Sequence, residues 1–170
     1  TAAGVVPTDA TAGCPVINAF GGGATGYLAQ IGYGNSVACR LKLFDMLFKA
    51  GAYAFNANTT LAAQPSYSSR VPGGTDFTDT QIWIETVTAF TGILSVAVTY
   101  TNQSGVTGRT TGTFSTGTAT TVGRMLQMPL QAGDSGVQKI ESVVATVATA
   151  GTFNVLVLRP LWSGRCRSFN

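Results

Sequence analysis

The chain reads as a mainly β protein: an antiparallel β-sandwich or jelly-roll-like barrel with one short helix and an extended N-terminal arm. Three observations predict this class. From Ile82 to Trp162, short runs rich in β-branched and aromatic residues alternate with small polar turns. Inside the runs apolar residues recur at every second position, the period of a strand with one buried face. The gaps hold Gly, Asn, Asp and Ser, which supply the backbone conformations that hairpin turns require.

The elements follow in chain order. Residues 1–37 form the arm, because Gly4, Pro7, Gly13, Pro15, Gly21-Gly22-Gly23, Gly26, Gly32 and Gly34 interrupt every candidate element. Val5, Val6, Ile17, Phe20 and Tyr27 make this stretch too apolar for a solvated tail. It therefore needs a surface to lie on, its own core or a neighbouring subunit, and these five residues are candidate protein contacts.

Residues 38–170 form the body. A helix is expected at about 39–50, where Leu43, Leu47 and Ala50 fall on an i, i+4, i+7 stripe and Gly51 follows Lys49 as a C-terminal cap. Residues 52–80 lose regular period and read as an ordered loop region. Long loops of this kind carry contacts, so Tyr67, Arg70 and Phe77 join the candidates.

Strands then fill residues 82–162, with runs at 82–88, 94–100, 106–114, 122–130, 137–147 and 153–158. Leu94, Val96, Val98 and Tyr100 share one face while Ser95, Ala97 and Thr99 take the other. Both faces of 153–158 are covered, which fits two packed sheets better than one. Pro160 cannot donate to a ladder, so the last strand ends near Arg159 or runs along an edge.

Composition points to protein contacts. Charged residues are 10% of the chain, against about 25% in an ordinary domain, so self-association meets a weak electrostatic barrier. The net charge of +3, from ten basic and seven acidic residues, is too small for a nucleic-acid footprint. Arg40, Lys42 and Lys49 in one segment, and Arg159, Arg165 and Arg167 in another, read as solvated or interface charges. No apolar run approaches the ~20 residues that span a bilayer. The first residues lack the basic start and apolar core of a secretory signal, though a leader already cleaved fits them equally.

Residue chemistry argues against catalysis. Gly133-Asp134-Ser135-Gly136 is similar to the nucleophile segment of trypsin-like serine proteases, but that chemistry needs a His base and this chain has none. Val137 stands where that family has a further Gly, and a tight turn between strands explains the string. Missing His also removes Cys–His pairs and most transition-metal sites. Carboxylate pairs such as Asp76 with Asp79, or Glu85 with Glu141, are better read as turn and surface residues. Gly21-Gly22-Gly23 has no Lys-Ser/Thr after it and is not a phosphate loop. No cofactor or metal is expected. Cys14, Cys39 and Cys166 are three thiols in a reducing compartment, or a link between the arm and the body or a neighbouring chain. Trp83, Trp162, Tyr53 and Tyr67 leave glycan recognition by a head- or tail-surface module as the alternative function.

Several strings resemble structural proteins of tailed bacteriophage virions: residues 43–56, Arg70-Val71-Pro72-Gly73-Gly74, the strand pair 83–102 and the ending 155–161. The resemblance covers most of residues 43–161 and is nearest to capsid decoration, or cement, proteins. It implies a non-enzymatic protein made in the host bacterial cytoplasm and carried on the outer capsid surface. It further implies a homo-oligomer, a trimer by preference, that bridges subunits of the major capsid protein without touching nucleic acid or membrane.

Overall fold

In the computed structural model, which describes residues 3–8, 10–11, 21–24, 26–27, 29–30, 32–33, 36–61, 63–115, 121–145 and 149–166, the body is a pair of antiparallel sheets. Its strands are β1 (Cys39–Ala54), β2 (Asn58–Thr60), β3 (Gln81–Thr88), β4 (Ser95–Asn102), β5 (Arg109–Thr110), β6 (Phe114–Ser115), β7 (Met125–Met128), β8 (Val137–Ala145) and β9 (Thr152–Cys166). The first sheet runs β1-β9-β3-β7. The second runs β2-β8-β4-β5, with β6 also on β4. Neither closes into a barrel, which removes the barrel form of the expectation.

Alternation does what the residues promised. Val96, Val98 and Tyr100 of β4 stand opposite Ala145, Val143 and Ile140 of β8, all buried on the inner face of the second sheet. Ile82 and Ile84 of β3 with Val155 and Val157 of β9 form the inner face of the first. These residues belong to one core, closed at one end by Phe55 against Phe153 and Phe90, with centroids 4.6 and 4.9 Å away. Residues 153–158 are buried on both faces, as expected for a strand between two neighbours.

The expected helix at 39–50 is instead most of β1. Its ladder with β9 slips in register at Leu43/Phe44, Met46/Phe48 and Ala50/Tyr53. Each slip resets the two-residue phase, so buried positions fall at the irregular gaps that a helix also produces. Leu47 and Phe48 are both fully buried across such a slip. The competing demand came from β9, whose central position requires a ladder partner on each edge. Gly51 is therefore no helix cap. It lies in the third slip, where a Cβ would stand 2.8 Å from the Phe153 carbonyl oxygen.

The region 52–80 is partly regular. β1 runs on to Ala54, β2 pairs with β8, and single 3-10 turns form at Ser68–Arg70 and Pro72–Gly74. The last strand does not stop at Arg159. It passes Pro160 to Cys166, and beyond Leu158 it has lost β3 and is flanked by β1 alone, so the edge alternative holds. The same register sets Cys39 opposite Cys166, whereas Cys14 lies outside the described residues.

The two sheets are also joined through their loops. Thr78 bridges to Gly136, and a Cβ on Gly136 would meet the Phe77 carbonyl oxygen at 1.9 Å. Only a glycine lets these backbones approach so closely. The Thr80 hydroxyl, buried beside them, accepts the Val137 N–H at 2.6 Å.

Candidate interaction surface

The start of the arm lies on the body. Val5 and Lys49 exchange backbone hydrogen bonds of 2.8 and 3.0 Å, so the arm covers part of the outer edge of β1. Gly4 makes this approach, since a Cβ there would overlap the Phe48 ring. Val6 packs against the core. Arg70 clamps the arrangement: one guanidinium nitrogen donates to the Pro7 carbonyl at 2.6 Å and the Met46 carbonyl at 3.0 Å, and the other pairs with Asp45. Asp45 also pairs with Arg159 at 3.4 Å, so one carboxylate ties the loop to both β1 and β9.

Arg70 thus has an internal task rather than the external contact expected of it. Truncating it to Ala should cost about 1–2 kcal/mol, given charge-assisted bonds that are partly exposed. It should also speed amide exchange at Val5. Urea melts and hydrogen exchange measure both, and an unchanged Val5 rate would refute the clamp.

Two other candidates are corrected in the same way. Tyr67 and Phe77 are core residues, packed edge to face at 5.9 Å. Burial pushes the Tyr67 phenol well above its ordinary pKa, and its hydroxyl donates to the Val137 carbonyl at 2.8 Å. Sequence reasoning saw aromatic anchors in a loop but not which way the loop folds. Ile17 and Phe20 lie outside the described residues. Tyr27 is 87% exposed, and every described residue between positions 21 and 38 is exposed as well. Val37, at 66%, is exposed like Tyr27.

The Gly133-Asp134-Ser135-Gly136 string forms a turn held from below. The Asp134 side chain is 2% exposed, and its carboxylate accepts from Arg109 Nε at 2.9 Å, Tyr100 Oη at 2.7 Å and Asn102 Nδ2 at 2.8 Å. The Arg109 bond, with those from Asn102 and Tyr100, holds its pKa down to about 2. Burial, then the Asp134 bond, pushes the Tyr100 phenol up to about 12. Gln103 Oε1 accepts the Ser135 and Gly136 N–H groups at 3.0 and 3.1 Å. The acid of the string is thus engaged by β4 and β5. No single spacing announces this network, since its members come from three separate segments.

Of the aromatics considered for glycans, Tyr53 and Tyr67 are buried, and burial pushes the Tyr53 phenol up to about 12. Trp83 packs against Phe44 at 5.4 Å and donates to Gln81 Oε1 at 3.0 Å. Trp162, 47% exposed, is the one that presents a large ring surface. The basic segments, distant in sequence, converge: Arg40 stands directly opposite Arg165 on the β1–β9 ladder, while Arg167 lies outside the described residues. Among the described residues no cluster of His, Cys, Asp and Glu could hold a metal ion, and no helix is long and apolar enough to cross a membrane. No family model matches the chain, and neither the curated proteins nor the solved structures contain a match to it.

Proposed function

We propose that the chain is a non-enzymatic virion structural protein, a β-sandwich body that binds the outer capsid surface and bridges major capsid subunits as a homotrimer. The observation that carries this reading is the exposure of two large apolar side chains ahead of β1, Tyr27 and Val37. Apolar side chains held off their own body gain free energy only when another surface covers them. The low charged fraction and the resemblance of residues 43–161 to decoration proteins agree with a protein partner.

The test replaces Tyr27 and Val37 with Ser. Both side chains are exposed, so the melting temperature should hold, each change costing under about 0.5 kcal/mol. Co-sedimentation with parent capsid shells stripped of this chain should fall at least tenfold. Full decoration by this variant would defeat the reading. Light scattering on the isolated chain checks for the mass of three copies.

A further inference from the structure

β9 outruns its partner on one side. β3 begins at Gln81, opposite Leu158, whereas β9 continues to Cys166, so from Arg159 onward a strand-wide lane beside it has no ladder partner among the described residues. The chain before Gln81 does not fill that lane. Thr78 bridges to Gly136 and the Asp79 N–H donates to the Ser135 carbonyl at 2.8 Å, both next to the start of β8. At the mouth of the lane is a groove of about 370 Å³ bordered by Arg40, Lys42, Phe44, Gln81, Pro160 and Trp162.

Charge on this extension is one-sided. Arg40 faces Arg165 across the ladder, and Lys42 lies two residues from Arg40 on the same face, opposite Ser163. All three cations are exposed, and among the described residues none has an ion-pair partner. Like charges directly opposite on a ladder destabilise it. No acidic side chain among the described residues pairs with these cations, so an anionic partner would relieve the repulsion.

We propose that this lane takes an extended acidic segment of another protein, which adds as a strand to the free edge of β9. Backbone N–H and C=O groups beyond Pro160 offer a ladder that only a polypeptide can match. Side chains on one face of such a strand recur every ~6.6–7 Å, the interval between Arg40 and Lys42, so carboxylates at alternate positions meet the cations in turn. Three cations are too few to hold a nucleic acid through its phosphates. The inference stands on the β9 edge and its charge, independently of the capsid reading.

The probe is a synthetic nonapeptide of alternating Glu and Thr, titrated calorimetrically beside a thymidine decanucleotide. The peptide should bind, weaken at least tenfold in 0.5 M salt, and slow amide exchange at residues 161–165. A double variant, Arg40→Gln with Arg165→Gln, should lose at least tenfold in affinity while melting no lower than the parent. Four results would each overturn the proposal: no peptide binding at millimolar concentration, equal binding by the variant, unslowed amides, or tighter binding of the oligonucleotide. A lower melting temperature in the variant would remove its electrostatic premise.

Discussion

Replacing Asp134 with Ala should cost about 3 kcal/mol, the low end of the range for removing one partner of a buried ion pair, since the Arg109 side chain is 25% exposed. Three donors, on Tyr100, Asn102 and Arg109, lose their acceptor together. Asn102 cannot turn its amide to compensate, because its Oδ1 already accepts the Ser104 and Val106 N–H groups at 3.0 Å each. The melting temperature should drop by about 10 °C, at roughly 2–4 °C per kcal/mol for a chain of this size. The same carboxylate gives a pH signature. Its folded pKa of about 2 lies below its unfolded value, near ~3.9. As pH falls the unfolded chain takes up the proton first, so this contribution is complete above about pH 5 and fades between about pH 4 and 2. Urea melts across that range should show parent and variant converging toward low pH. A difference that stays constant down to pH 2 would contradict the assignment.

Phe153→Ala should have a comparable or larger effect, about 3–5 kcal/mol. The ring is fully buried, stacked on Phe55 at 4.6 Å and edge to face with Tyr53 at 6.0 Å. Trp162→Ala supplies the comparison on the same strand. That ring is half exposed beyond the last β3 partner, so its loss should register at about 1–2 kcal/mol, well below Phe153. Thermal melts of the two variants decide the matter, and equal shifts would contradict the burial pattern.

Period and turn chemistry carried most of the body. The alternation in residues 94–100 became β4 with its faces as read, and the run at 82–88 became β3. What failed was β1, because a strand with three register slips loses the period that identifies it. The slips answer to β9, more than a hundred residues away, and no local window contains that demand. Runs 106–114 and 122–130 shortened to β5, β6 and β7 for a related reason: ladder length is set by the partner, not by the run's own composition. Surface residues were legible only in part. Tyr27 could be read as an exposed apolar group, whereas Tyr67 and Phe77 could not be told from core, since a loop's polarity does not reveal which side it folds toward. Arg40 and Arg165 were each visible as charges, but their pairing is a property of register alone.

The position of β9 between β1 and β3 governs the order in which the molecule can form. β4 and β8 can pair as soon as residue 145 is made, and β3 can meet β7 earlier still. β1, synthesised before either pair, has only the Val5 bridge among the described residues until β9 appears at residue 152. During synthesis, the buried side of β1, with Leu47, Phe48 and Tyr53, must therefore wait uncovered. Such a high contact order predicts slow refolding of the complete chain. It also makes the nascent protein most prone to aggregate just before its final strand arrives.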